Sequence, residues 1–238
     1  MYSRKYFIES SEVDSSLKLK LSSLFRVMQD VATKHAEELG LGKSATLDRG
    51  FFWVITRYSI TMFKYPHFLD TIEVCTYPVG KNKFIFPRNF IFKNDKGEVL
   101  GQASSTWLLL NATDHKIALH AMDEYPVFEE HSDYEEPQAG KIEADGGELV
   151  DERIVRYSDT DLNGHLNNTK YIEYVLDTHD DKFYKENEIE NLIINYDKEV
   201  KINEKVSLYS KKLDNIETIG GKVGDKSIFS VKLTYRKQ

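Results

Sequence analysis

Between Leu19 and Leu39 apolar positions recur at intervals of three and four. Leu21, Leu24, Phe25, Met28, Val31, Ala32, His35 and Leu39 fall on one face, the period of an amphipathic helix. Ser22 or Ser23 is placed to open that helix and Gly40 to close it. Beyond Gly40 the chain turns β-branched and aromatic. "FFWVITRYSITMF" (51–63), "DTIEVCTYPV" (70–79), "FIFPRNFIFKNDKGEVLGQASSTWLLLNA" (84–112) and "KIAL" (116–119) predict strands. "NDKGE" predicts a hairpin turn with Gly97 where a positive φ is needed.

From Asp123 to Asp151 the pattern breaks. The stretch is acidic, holds two prolines and has little periodicity, which predicts a linker or covering segment with a solvated charged surface. A second series then follows the order of the first. A short strand is predicted at 153–158, a helix at about 167–180, and strands at 192–199, 204–212, 216–222 and 227–236. Two halves in tandem, 1–122 and 152–238, are thus expected around a linker at 123–151. Residue against residue, Asp14 is matched with Asp159, Leu17 with Leu162 and Leu21 with Leu166. In that register Asp161, Asn163 and His165 of the second half face Ser16, Lys18 and Lys20 of the first.

Composition bounds the function without naming it. The 238 residues are 40% hydrophobic and 30% charged, enough apolar material for a sizeable core. Twelve per cent are aromatic, which suits wide sheets, an apolar ligand cavity or a plain core. A formal net charge of −7 argues against nucleic acid as the main partner. One cysteine, Cys75, allows no disulfide within the chain, and it reads as a small buried residue. No segment approaches a membrane span, and the start has no apolar run of signal-peptide length. A cytoplasmic location and no membrane insertion are expected.

The densest chemistry lies in "YSDTDLNGHLNNTKY" (157–171). Capping the following helix accounts for Asn167 or Asn168. It does not account for Asp161, Asn163 and His165, which alternate along what reads as an extended segment and so can share a face. A carboxylate, an amide and an imidazole near a helix N-terminus can orient a base, donate to an oxyanion and move a proton. The plain alternative is a polar loop with one histidine, and a metal finds no further ligands at obvious spacing. Other motifs fall away. "LGLGKS" has Glu37 where a phosphate loop needs glycine, and no G-x-S-x-G occurs. His35, on the apolar face of the first helix, reads as core or cavity lining, and Met28 and Val31 as core.

"SDTDLNGHLNNTKYIEYVLD" closely resembles the signature of the acyl-acyl-carrier-protein thioesterases, which carry D-x-N-x-H-x-N-N-x-x-Y here. "WVITRYSITMFKYPHFLDTIEV", "GEVLGQASSTWLLLN" and "NYDKEV" resemble further family segments in the right order. The resemblance implies an α+β fold, a tandem or double hotdog in which each half is a long helix wrapped by a curved antiparallel sheet. It implies hydrolysis of fatty acyl-ACP thioesters, with the acyl-chain pocket in the first half and the catalytic groups in the second. Catalysis falls to Asp161, Asn163, His165 and Glu199, with no cofactor and no metal. Plant members carry a cysteine beside that glutamate. Here it is Val200, so a water-based mechanism is expected. Asn163 and a backbone N–H would hold the developing oxyanion, His165 and Glu199 would activate water, and Asp161 would fix the Asn and His. Strand alternation from Leu192 puts Glu199 on a face with Ile193, Asn195 and Asp197. The implied partner is an acidic acyl carrier protein. From Asn195 onward ten basic residues stand against six acidic ones, a candidate docking face. An acyl-CoA thioesterase and a non-catalytic acyl-binding regulator are the rival readings, and a monomer or a homodimer is compatible with two fused halves.

Overall fold

A computed structural model describes residues 1–238 apart from 123–126, 135 and 162, and apart from the side chains of Lys43 and Ser44. The first half runs β1 (Tyr2–Phe7), α1 (Leu21–Glu38), the short α2 (Lys43–Leu47), β2 (Phe51–Met62), β3 (Thr71–Pro78), β4 (Ile85–Asn94) and β5 (Val99–Asn111). The second runs β6 (Glu148–Ile154), α3 (Asn168–Leu176), α4 (Asp181–Glu186), β7 (Asn187–Tyr196), β8 (Lys205–Leu213), β9 (Ile216–Val223) and β10 (Lys226–Lys237). All ten strands make one antiparallel sheet in the order β1-β3-β4-β5-β2-β7-β10-β9-β8-β6. Reading outward from the middle, each half contributes its strands in the same sequence. The halves meet at β2 and β7, from Arg57 opposite Asn195 to Thr61 opposite Asn191. This is the expected double hotdog.

The helices seal one face of the sheet. Leu24, Phe25, Met28 and Val31 of α1 and Ile172 and Val175 of α3 are each at most 1% exposed. They join Ile60, Phe90, Ile194 and Val231 from the strands in one core. Burial of such a side chain contributes roughly 1.5–3 kcal/mol, so both helices are held by packing. Met28 and Val31 are core, as read.

The middle of the opposite face is polar and tight. Ser59, Ser104 and Asn195 point there and are buried. The described residues of 127–147 form no helix or strand and run across this face as a strap. Glu136 accepts from Ser59 at 2.7 Å, Thr61 at 3.0 Å and Gln102 at 3.0 Å. Ser104 donates to the Pro137 carbonyl, Arg57 to that of Ala139 and Asn195 to that of Gly140. Asn195 also accepts from the Ile142 N–H at 2.7 Å. A segment without periodicity is thereby ordered, because its backbone groups find partners on the sheet. Glu136, 6% exposed, departs from the expected solvated surface.

Several local expectations are corrected. Ser22 and Ser23 lie buried inside the first turn of α1, whose N-cap is Lys20. The strand expected at 153–158 lies at 148–154, because an exposed edge strand leaves no clear apolar alternation. The second helix stops at Leu176, and Asp180 caps the unexpected α4 by accepting from the Phe183 N–H. "KIAL" is a turn folded back onto the end of β5 through a single bridge, Leu110 to Ile117. The hairpin at Gly97 is present, with φ 82°.

Candidate active site

The segment before α3 is a closed turn, not an extended run. The Asp161 carboxylate folds back and accepts from the backbone N–H groups of Asn163 at 2.8 Å and His165 at 3.2 Å. The Asp161 N–H donates to the His165 carbonyl at 2.8 Å, and Gly164 turns the corner with φ 78°. The three side chains therefore do not share one strand face. Asp161 shapes the backbone, Asn163 stands exposed at the corner, and His165 leaves the turn half-buried. Asn167 is the N-cap of α3 and accepts from the Thr169 N–H at 2.9 Å.

The first half repeats this turn bond for bond. Asp14 accepts from the N–H of Ser16 at 2.8 Å and of Lys18 at 3.0 Å, and its own N–H donates to the Lys18 carbonyl. Leu17 takes the corner with φ 62°, a conformation costly for leucine and natural for glycine. The equivalence is thus Asp14 with Asp161, Ser16 with Asn163 and Lys18 with His165. The register read from sequence is two residues out, because both Asp159 and Asp161 offer an aspartate to match. Asp161 consequently belongs to the scaffold that both halves share.

Glu199 reaches the site from a loop. β7 ends at Tyr196, so strand alternation does not govern residue 199. Instead, the Leu166 N–H donates to the Val200 carbonyl at 2.8 Å, and His165 bridges to Lys201. This clamps the loop beside the turn and places Glu199 Oε2 3.4 Å from His165 Nε2. In the first half the Leu19 N–H donates to the Pro66 carbonyl, which makes Tyr65 the counterpart of Glu199. There Lys18 pairs with Glu188 at 2.8 Å, and the Tyr65 hydroxyl donates to the Ile189 carbonyl. The same scaffold carries no acid–base pair.

Asn163, His165 and Glu199 stand at the mouth of a cavity of about 1130 Å³. Its walls come from the first half: Ala32, Ala36 and Leu39 on α1, Trp53 and Ile55 on β2, Phe86 on β4 and Trp107 on β5. Small residues on α1 leave the space and aromatic ones enclose it. Asn167 and Asn168 also line it, so the N-terminus of α3 and its partial positive charge face the opening. The volume is of the size that holds small-molecule ligands.

Sequence reading missed Arg88, which lines this cavity while buried to 8% exposure. Its Nη1 donates to His35 Nδ1 at 2.9 Å and to Thr76 Oγ1 at 3.1 Å. Burial pushes Arg88 down to about 10. Burial, then the neighbouring guanidinium, hold His35 down at about 4, so its Nδ1 is a neutral acceptor. His35 is core, as read, and serves the cavity through Arg88. The signal for Arg88 in "FIFPRNFIF" is a cation inside an apolar strand. Tyr171 and Tyr196, present in the family-like segments but given no role there, also line the cavity.

Comparison with known proteins adds family likeness to this geometry. The model of the acyl-ACP thioesterase N-terminal domain matches residues 1–126, and that of the C-terminal domain matches residues 142–237. An oleoyl-acyl carrier protein thioesterase of Arabidopsis thaliana is 26% identical over 217 residues, 83% of this chain and 60% of its own length. A palmitoyl-acyl carrier protein thioesterase of Gossypium hirsutum is 26% identical over 218 residues, 84% of this chain and 52% of its own. The chain thus spans little more than half the length of these curated relatives. Among solved structures, an acyl-ACP thioesterase from Bacteroides thetaiotaomicron superposes with a TM-score of 0.90 at 24% identity, covering 98% of this chain and 97% of that one. A 12:0-ACP thioesterase from Umbellularia californica gives 0.87 at 20% identity, covering 100% and 97%.

Proposed function

The chain belongs to the acyl-ACP thioesterase family, and we propose that it hydrolyses fatty acyl thioesters of acyl carrier protein, releasing free fatty acid and holo-ACP. The observation that carries this reading is the His165–Glu199 pair, 3.4 Å apart at the mouth of an apolar cavity. The fatty chain enters the cavity in the first half, and its thioester carbonyl rests at the mouth. The His165–Glu199 pair positions a water beside it and takes its proton as it attacks the carbonyl carbon. Asn163 and the N–H groups at the start of α3 stabilise the oxyanion. The C–S bond then breaks, the acyl group leaves as fatty acid, and the proton passes to the departing thiolate. Asp161 acts indirectly, by setting the backbone from which Asn163 and His165 project. A non-catalytic acyl binder has no use for the pair.

Carrier docking is part of the proposal. Much of the basic surplus after Asn195 is already engaged: Arg236 with Glu188, Lys205 with Glu152, and Lys212 over Phe183. Lys198 and Lys201 line the cavity mouth and have no ion pair among the described residues. An acidic carrier meets them as its acyl chain enters. A cytoplasmic location also belongs to the proposal.

The test is hydrolysis of one acyl chain presented on ACP and on coenzyme A, at rising ionic strength. The expected result is a higher kcat/KM with acyl-ACP, falling as salt passes ~0.15 M, where the Debye length is ~8 Å. A preference for the CoA ester overturns the choice of carrier. No thioester hydrolysis of either substrate overturns the reading altogether.

A further inference from the structure

We propose that Tyr171 and Tyr196 are positioning residues that lock the Glu199 loop against the His165 turn. The inference rests on the reading of His165 and Glu199 as the acid–base pair. Glu199 is exposed and lies outside any strand, so its own packing does not fix it. Its neighbours do. Tyr171, 2% exposed on the first turn of α3, sends its hydroxyl under the loop and donates to the Lys198 carbonyl at 3.4 Å. That bond holds the backbone immediately before Glu199. Tyr196, the last residue of β7, reaches the other way and donates to the Asn168 carbonyl at 3.0 Å, at the start of α3. The two rings meet edge to face at 5.3 Å, with Phe229 against Tyr171 at 5.1 Å. Helix start and loop are cross-linked from both directions by side chains with little freedom left.

The internal repeat shows that this brace is not needed for folding the hotdog. Counting from the two N-caps, Lys20 and Asn167, the counterpart of Tyr171 is Leu24. Counting back from Tyr65 and Glu199, the counterpart of Tyr196 is Met62. Both counterparts are buried to 1% exposure in the same core. The half that lacks the acid–base pair fills these places with leucine and methionine, whose side chains donate nothing. The half that has the pair places two tyrosine hydroxyls there, Tyr171 buried and Tyr196 half-buried, and each finds a partner. Both partners lie on the segments that carry the reacting groups.

The experiment uses the full-length chain with Tyr171→Phe, Tyr196→Phe and the pair together, each also combined with Glu199→Gln. Phenylalanine keeps the ring packing, so the variants fold. Backbone amide exchange over residues 197–201, read without substrate, should quicken in both variants while exchange in β10 stays the same. With acyl thioester, kcat should fall roughly tenfold or more with KM unchanged, the scale of a misplaced catalytic group. In the Glu199→Gln background either change should add little, because the brace acts through Glu199. Unchanged exchange over 197–201 overturns the brace. So does a loss of kcat that multiplies with that of Glu199→Gln. If the wild-type chain hydrolyses no thioester, the functional reading fails, and the exchange result still decides whether the loop is braced.

Discussion

Asp14 and Asp161 make the same hydrogen bonds in two turns that carry different chemistry. Each takes two backbone N–H groups, at 2.8 and 3.0 Å in the first half and at 2.8 and 3.2 Å in the second. A residue retained where the acid–base groups are absent is a structural residue.

Asp14→Ala and Asp161→Ala should therefore lower stability by a similar amount, about 1–2 kcal/mol, the scale of a lost side-chain cap. Only Asp161→Ala should also lower turnover. Denaturant titration and kcat on the same preparations check this, and a large stability difference between the two variants would contradict the equivalence.

His165→Ala and Glu199→Gln should each reduce thioester turnover on the order of a hundredfold, the scale of losing a general base. His165 is half-buried and Glu199 exposed, and neither belongs to the apolar core, so the melting temperature should barely move. Near-normal hydrolysis by either folded variant removes that residue from the mechanism.

The chain's two tryptophans, Trp53 and Trp107, both line the cavity. Free fatty acid should change the intrinsic emission saturably, in His165→Ala as well as in the wild type, because the walls belong to the first half. An emission blind to fatty acid places the acyl chain elsewhere.

Glu217 gives the fold an acid-sensitive joint. Burial pushes its carboxyl up, but hydrogen bonds with His179, Ser210 and Tyr235 outweigh this and hold it at about 2. An unfolded glutamate titrates near ~4.3. The unfolded chain therefore binds more protons between these values, and stability is complete above ~4.3 and lost as pH falls towards 2. Glu217→Gln should be less stable at neutral pH and should lose less on acidification, as read by denaturant midpoints between pH 7 and 3.

Glu136→Ala should leave the donors of Ser59, Thr61 and Gln102 without their acceptor behind the sheet. A loss of about 2–3 kcal/mol is expected from stranded buried groups, with Glu136→Gln recovering part of it. Thermal unfolding settles the point, and an unchanged midpoint would mean that water replaces the carboxylate without penalty.

Much of this architecture is legible from residue spacing alone. The apolar period of α1, the alternation of the strands and the turn chemistry at Gly97 all act locally, so they can be read locally. The Asp161–His165 turn could not be placed in register, because the neighbouring Asp159 satisfies the same pattern and only the hydrogen bonds tell them apart. Glu199 carries no periodic signal once β7 has ended, and family likeness alone singled it out. Tyr171 and Tyr196 stand in the family-like segments, but nothing in their spacing gives them a role until Leu24 and Met62 are recognised as their counterparts. Glu136 was hidden by its acidic neighbours, since the donors that hold it come from strands far away in the chain.

The strap behind the sheet makes the two halves one heritable unit. Two separate copies of a half-length chain would share a gene, and every substitution would appear on both sides of the sheet at once. A lysine in place of the histidine would then abolish both sites together. Once the halves are spliced through residues 127–147, a change such as Lys18 for His165 strikes one side alone. The unused side is then free to accumulate mutations, and its walls can be reshaped by selection to suit the ligand of the other.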